Sequence, residues 1–304
     1  MTRRIPAIVN IASGSAEEAR EALEAAGTFD VRLVEPTRIA DAVRQAVREG
    51  ARRVLVAGGD GTIATAAAAL VDTPAELAVL PGGTLNHFAR ALGISTVAAE
   101  ALLMASQPAC RGVDVGMVNG RVFLNTSSVG AYVRFVKVRE ALEREFGYRV
   151  ASAIAAFRLL FTLRLAAVEL EVDGQTRIYR TPLVFIGVGE RELQLPLVGN
   201  RVPNGKRGLH VMVVRGRSRA RLLALALAAV AKGVKGVSHM PQFESFIVDR
   251  CTITVTKPRT VIAVDGELVT LSTPLKYELR RDALSVVCPA ADSEVAEQTK
   301  AILR

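Results

Sequence analysis

Two short stretches hold the residue types that could handle a phosphate. Residues 57–62 read AGGDGT and residues 80–86 read LPGGTLN, each at the end of a short apolar run. Glycine lets a ligand approach the backbone closely, and backbone N–H groups at a helix start can face an oxyanion. Gly58, Gly59, Gly61 and Thr62 are so placed in the first stretch, and Gly83 and Thr84 in the second. Asp60 sits among them, yet a carboxylate does not attract phosphate by itself. It makes sense there when Mg²⁺ lies between the two charges, or when a proton must be accepted. Asn10, Ser13 and Gly14, after the first apolar run, form a third loop of the same kind. None of the three is a G-x-x-x-x-G-K-[ST] or a G-x-G-x-x-G loop. One glycine-rich turn reads equally well as a tight turn; two at the ends of neighbouring strands favour a phosphate site.

Other reactive residues are less specific. VDGELV at 264–269 carries Asp265 and Glu267 on what its Asp-Gly pair marks as a hairpin turn. His87 opens a helix and reads first as a hydrogen-bonded structural residue. The alternative is a substrate-facing role, because Thr84 and Asn86 stand beside it. His210 and His239 have no evident partner, and metal ligation is not expected of the three histidines. Cys110, Cys251 and Cys288 form no C-x-x-C pair and read as reduced thiols in a reducing cytosol.

The first 110 residues alternate strand and helix. PAIVNI, DVRLVE, RRVLVA and LAVL are strands, and between them run segments with apolar residues at helical spacing. Ser15 and Glu18 have the spacing of a capping box, Thr37 is placed to cap the second helix, and Gly27 to end the first. This order predicts a parallel sheet with helices on both faces. After Gly112 the period becomes two, as in VELEV, CTITVT and TVIAVDGELVTL, which predicts a mostly antiparallel β-domain. A helical insertion over about 133–165 interrupts it. The fold class is therefore α/β plus β: a Rossmann-like parallel-sheet domain over 1–112 and a β-sandwich-like domain over 113–290, with a cleft between. A terminal helix over 291–304 is expected, and it can return to the first domain.

The chain has 304 residues and a formal net charge of +9. That charge is uneven: 11 basic and 12 acidic residues stand up to Gly112, against 28 and 18 beyond it. The second part is thus suited to an anionic partner, such as phospholipid headgroups or phosphate. No tryptophan and few aromatics argue against nucleic acid, which is bound by basic helices interleaved with stacking residues. The apolar stretch Leu222–Val230 is too short to span a bilayer, and the longer one near Phe157 is broken by Arg158 and Arg164. A cytoplasmic protein, peripheral at the inner membrane surface, is expected.

GGDGT followed some twenty residues on by LPGGTLNHFARALGI, with VDVGMVNGRVFLN at 113–125 and VDGELV, resembles the diacylglycerol kinase catalytic family. These are soluble bacterial lipid kinases related to sphingosine and ceramide kinases, and the resemblance covers nearly the whole chain. It implies ATP and Mg²⁺ as cofactors, a lipid hydroxyl as acceptor, and nucleotide in the cleft. The family's phosphate-binding loop maps to Gly59, Asp60, Gly61 and Thr62, its nucleotide-contacting threonines to Thr37 and Thr84, and its N-terminal loop to Asn10, Ser13 and Gly14. Its general base maps to Glu267, with Asp265 beside it. Departures accompany the match. Ala64 and Thr65 replace Asn and Glu, Ile11 replaces Pro, Ser15 replaces Lys, and His87 replaces an acid that helps place substrate. Arg207 stands where relatives carry an Asp of a structural Mg²⁺ site, so that metal is expected to be lost, its charge replaced by the guanidinium amid an acid-rich pocket. Two other readings stand beside the lipid kinase: an NAD kinase-type phosphotransferase, and a degenerate kinase that binds nucleotide or lipid without turnover. A homodimer is left open.

Overall fold

The computed structural model describes residues 4–162, 166–172, 174–194, 197–202, 204–214 and 243–289. The chain forms two compact units, one holding the residues up to Val115 and those from Arg280, the other Gly116–Leu279.

The first unit opens with β1 (Ile5–Asn10), α1 (Ala16–Ala26), β2 (Phe29–Val34), α2 (Ile39–Arg48), β3 (Arg53–Gly58), α3 (Asp60–Leu70), β4 (Glu76–Pro81), α4 (His87–Ala91) and α5 (Ala98–Ala105). The strands lie in the order β2-β1-β3-β4, all parallel. Their alternation explains the layers, because successive side chains of a strand face opposite sides. Ala7, Val9, Leu55, Ala57, Ala78 and Leu80 are buried with Leu23 of α1 and Leu102 of α5. The intervening Ile8, Val54, Val56, Leu77 and Val79 are also buried, toward the side of α2 and α3, whose Ile39, Val43, Ala66 and Leu70 are fully enclosed. Gly27 ends α1 in the left-handed conformation at φ 67°, as its position in the sequence predicts.

Register decides where the loops go. Asn10 pairs with Val34, Val9 with Ala57, and Gly58 with Pro81. The four strands therefore end at one level, and every loop that follows them emerges along the same sheet edge. In an open parallel sheet that carboxyl edge is where ligands bind.

Two caps differ from the sequence expectation. Ser15 makes no side-chain cap bond to α1, and Thr37 lies in a 3-10 turn, Pro36–Arg38, ahead of α2. In the first case the hydroxyl has a competing acceptor, the Gly82 carbonyl 3.0 Å away.

The chain continues through β5 (Arg111–Val118), β6 (Arg121–Phe123), β7 (Thr126–Gly130), α6 (Ala131–Thr162), β8 (Ala166–Val172), β9 (Gln175–Thr181), β10 (Leu183–Val188), β11 (Arg191–Gln194), β12 (Leu197–Arg201), β13 (Leu209–Val214), β14 (Phe243–Val248), β15 (Arg250–Val255), β16 (Arg259–Val264), β17 (Glu267–Ser272) and β18 (Leu275–Val286). Within the second unit one antiparallel layer runs β14-β13-β10-β7-β16-β17, and β9, β8, β15 and the start of β18 form another. Their inward residues share one core, including Val184, Ile186, Val211 and Ile262 from the first layer and Leu170, Ile253, Leu275 and Tyr277 from the second. The Tyr277 hydroxyl meets Ser127 Oγ at 3.0 Å, which satisfies two buried polar groups across the layers. The end of β18 belongs to the first unit, where Ser285 and Val286 run parallel to β4. Helix α6 is interrupted at Gly147, which has φ 71°. The apolar stretch Leu222–Val230, His239, the terminal helix over 291–304 and the side chains of Phe157 and 159–165 lie outside the described residues.

Candidate active site

Three loops of the first unit are locked together at the carboxyl edge. Gly82 N–H donates to the Gly58 carbonyl at 2.9 Å. Asn10 Nδ2 donates to Thr62 Oγ1 at 2.7 Å, joining the first loop to the second. Ser15 Oγ donates to the Gly82 carbonyl at 3.0 Å, joining the first to the third, with Ser13 Oγ 3.3 Å from the same oxygen. The glycines are required by contact. A Cβ on Gly83 would stand 2.8 Å from Gly59 Cα and 3.0 Å from Asn86 Oδ1, and one on Gly58 would stand 2.8 Å from the Thr62 side chain. A Cβ on Gly14, in contrast, would meet nothing within 4 Å. Glycine thus serves loop-to-loop packing at Gly83 and close approach to Thr62 within one loop at Gly58, with open space at Gly14.

Asp60 has a definite place in this lattice. Its Oδ2 accepts the His87 N–H at 3.1 Å and its Oδ1 the Phe88 N–H at 3.2 Å. The carboxylate caps α4, whose own preceding residue, Asn86, makes no cap bond to it. Asn86 is instead buried in the left-handed region, with both ends of its amide committed to Gly83, at 2.9 Å and 2.7 Å. Sequence reading took His87 first as a structural residue, with a substrate-facing role beside Asn86 as the alternative, and missed both links. No local signal pointed to either, because Asn86 is itself a residue type that favours the N-cap position. The side chains of Thr37, Thr84 and His87 are exposed on this edge.

The second group lies in the second unit. Asp265 and Gly266 both have positive φ, 46° and 89°, and Val264 pairs with Glu267. That is the two-residue hairpin the Asp-Gly pair predicts. The Asp265 carboxylate accepts three backbone N–H groups, from Leu124 at 2.7 Å, Asn125 at 2.8 Å and Thr126 at 2.9 Å. Burial pushes its carboxyl above the ordinary range, while the three N–H donors and Arg191 pull the other way. Glu267 is exposed at the hairpin's far side, and Arg121 Nη2 lies 3.3 Å from its Oε2. Sequence reading missed Arg121, whose partner is 146 residues away.

Behind the hairpin a buried polar cluster had no sequence signal. Arg191 donates through Nη2 to the Asn125 and Val188 carbonyls, and its Nε has no partner. Burial, with Arg201 adding to it and Asp265 opposing, pulls Arg191 down to about 10. It keeps its charge at neutral pH. His210 Nδ1 accepts the Arg191 backbone N–H at 3.0 Å, and its Nε2 lies 2.6 Å from Ser245 Oγ. Burial lowers its pKa, with Glu190 opposing and Arg191 reinforcing.

The residues fit the two cofactors unequally. The carboxyl edge suits a nucleotide's phosphates, because Asp60 directs its charge into the amides of α4. No group of three His, Cys, Asp or Glu able to hold a metal occurs among the described residues. Mg²⁺ ordinarily takes one or two carboxylates and the substrate's phosphates, so Asp60 fits an ion that arrives with the nucleotide. Arg207 lines a pocket beside β14. Its described lining is Lys206, Arg207, Ser245 and Ile247.

A solved structure described as a diacylglycerol kinase from Bacillus anthracis strain Sterne superposes with TM-score 0.69, covering 95% of this chain and 98% of that one at 22% identity. That likeness shows the fold class, α/β plus antiparallel β. A family model described as the diacylglycerol kinase catalytic domain matches residues 5–118. A protein of Pseudomonas savastanoi pv. phaseolicola described as "Probable lipid kinase YegS-like" is 30% identical over 277 residues, 86% of this chain and 84% of that one. One of Pseudomonas fluorescens Pf-5 with the same description is 35% identical over 182 residues, and the match spans 57% of this chain and 59% of the relative's length. The chain belongs to the diacylglycerol kinase catalytic family, phosphotransferases with an alcohol group as acceptor.

Proposed function

We propose that the protein is an ATP-dependent lipid kinase that phosphorylates the hydroxyl of a diacylglycerol- or sphingoid-like lipid. The observation that carries this reading is the three-loop edge in which Asp60 turns its charge into α4, so that an anionic triphosphate meets loop amides and hydroxyls. Gly59, Gly61, Gly83, Ser13, Gly14 and the exposed Thr37 and Thr84 hold the nucleotide, and Asn10, Thr62 and Asn86 hold the loops. Mg²⁺ bound with the nucleotide neutralises charge on the transferring phosphoryl group.

Glu267 accepts the proton of the lipid hydroxyl as that oxygen attacks the γ-phosphorus. The new O–P bond forms, the β–γ bridging bond breaks and ADP leaves. A hydroxyl is a weak nucleophile, and a positioned carboxylate typically contributes about 10²–10⁴-fold. Arg121 and Asp265 act through Glu267, the first by holding its carboxylate and the second by fixing the hairpin on the 124–126 amides. The basic second part of the chain favours peripheral contact with an anionic bilayer.

The test is labelled ATP with a panel of diacylglycerol, sphingosine, ceramide and NAD, with and without Mg²⁺. Mg²⁺-dependent label on a lipid is expected. Label on NAD alone would move the reading to an NAD kinase-type enzyme. Nucleotide binding with no transfer to any acceptor would mark a binding protein without turnover.

A further inference from the structure

Strand β7 carries two consecutive serines, each 1% exposed, and consecutive strand residues face opposite sides of the layer. Ser127 turns toward the core between the layers, where it meets the Tyr277 hydroxyl. Ser128 turns the other way. It pairs with Phe185 of β10 on one side and with Ala263 of β16 on the other, and directly paired residues share a face. Ala263 packs with Val133, Val136 and Ala155 of α6, so this is the face that α6 covers. Ser128 Oγ is buried there with no hydrogen-bond partner among the described residues.

A buried hydroxyl without an acceptor destabilises a fold, and few are kept. A trapped water would need roughly two to four polar partners. Phe185, Ala263 and the α6 residues packed on Ala263 are apolar, which disfavours one. The complement of this surface is a long apolar body carrying an acceptor oxygen. The carbonyl of an acyl ester or amide is such an acceptor, and it has no proton of its own.

Two further observations bear on placement and entry. Ser128, Ala263 and Leu268 of β17 form one cross-strand row, which ends beside Glu267 in the chain. Its two inter-strand spacings amount to about 10 Å, a gap that a glycerol ester held between the two side chains can span. The cover itself is not one rod. Helix α6 breaks at Gly147, with Val133 and Val136 before the break and Ala155 after it. Phe146 and Val150, on either side of the break, are exposed, so the joint presents apolar side chains to an entering chain.

We propose that the face of β7, β16 and β17 beneath α6 receives the acyl part of the acceptor lipid, and that the Ser128 hydroxyl donates a hydrogen bond to an acyl carbonyl oxygen. Ser128 is then a specificity-determining residue, favouring acylated lipids over those without a carbonyl. The inference rests on the lipid-kinase reading for the reacting end of the lipid.

The test varies the protein and the lipid together. Full-length wild type and Ser128→Ala are given dioleoylglycerol, or the diether analogue with the same chains and no carbonyls, in identical nonionic detergent micelles. Equilibrium binding and transfer of labelled phosphate from ATP are measured on the same samples. Wild type should bind the diester about tenfold more tightly than the diether. Ser128→Ala should lose most of that preference by weakening on the diester alone, with nucleotide affinity unchanged. Without lipid, Ser128→Ala should unfold at an equal or higher denaturant midpoint, because it removes a buried hydroxyl that has no acceptor. A serine kept for structure would give a lower one. Equal affinity of wild type for the two lipids, an unchanged preference in Ser128→Ala, or a lowered midpoint would overturn the contact. Carbonyl-dependent binding without transfer would uphold the contact and count against the kinase reading. Transfer that ignores the carbonyl would uphold the kinase reading and overturn the contact.

Discussion

At the scale of single residues, the glycines and acids do different work from what their motif suggests. A Cβ on Gly83 would stand 2.8 Å from Gly59 Cα, so Gly83→Ala should push the third loop off the second. Overpacking of this kind costs about 1–3 kcal/mol, and nucleotide affinity should fall at least tenfold by calorimetry while circular dichroism stays native. Asp60→Ala leaves two α4 amides without their acceptor. The expected loss is about 1–2 kcal/mol, read as a lower denaturation midpoint, with Asp60→Asn intermediate because it keeps one acceptor oxygen. Equal midpoints for all three proteins would refute the capping role. His210 makes a pH prediction. Burial holds its imidazole below the ordinary value, so the unfolded chain binds this proton at higher pH than the folded one. Stability is then complete above the unfolded value of about 6.5 and declines as pH falls through it. Melting temperature should drop between about pH 7 and pH 5 in wild type, and the drop should be shallower in His210→Gln. The sequence names Asp60, Asp265 and Glu267 as residues of interest, but not these partners. A cap from Asp60 to residue 87, or a histidine bonded to residues 191 and 245, is created by the fold, and no local spacing encodes it.

At the scale of elements, periodicity was informative where each element buries one face. Helix spacing in α1 and α2 and strict alternation in β8, with Glu169 and Glu171 out and Val168 and Leu170 in, read directly from the chain. What escaped was end chemistry. Ser15 and Thr37 satisfy local capping rules, yet one hydroxyl bonds a neighbouring loop and the other residue sits in a 3-10 turn. A packed sheet edge offers acceptors that an isolated helix lacks, and tertiary context overrides the local rule. The β5–β6 hairpin shows how tight such packing becomes. A Cβ on Gly116 would stand 2.2 Å from the Phe123 ring, which meets Tyr277 edge-on at 6.2 Å between centroids. Gly116→Ala should therefore destabilise by about 1–3 kcal/mol, measured by denaturant unfolding. A neutral result would mean that the ring can swing aside without loss of its aromatic contact.

At the scale of the whole molecule, the α/β-plus-β plan and the family were both legible, because the glycine motifs and the change from helical to period-two patterning are local signals. The charge asymmetry beyond Gly112 adds a prediction about surfaces. Binding to phosphatidylglycerol vesicles should weaken steeply as salt rises from about 50 to 300 mM, since the Debye length then shrinks below about 10 Å. Insensitivity to salt would point to insertion of apolar side chains instead. Among the described residues no helix is long and apolar enough to cross a membrane. The central claim is that Glu267 takes the proton from a lipid hydroxyl as phosphate is transferred from ATP. The most direct measurement is single-turnover transfer of labelled phosphate to diacylglycerol by wild type and Glu267→Gln, with nucleotide affinity measured on the same samples. The account predicts a rate lowered by about 10²-fold or more at unchanged nucleotide affinity. Transfer at the wild-type rate in Glu267→Gln would contradict it.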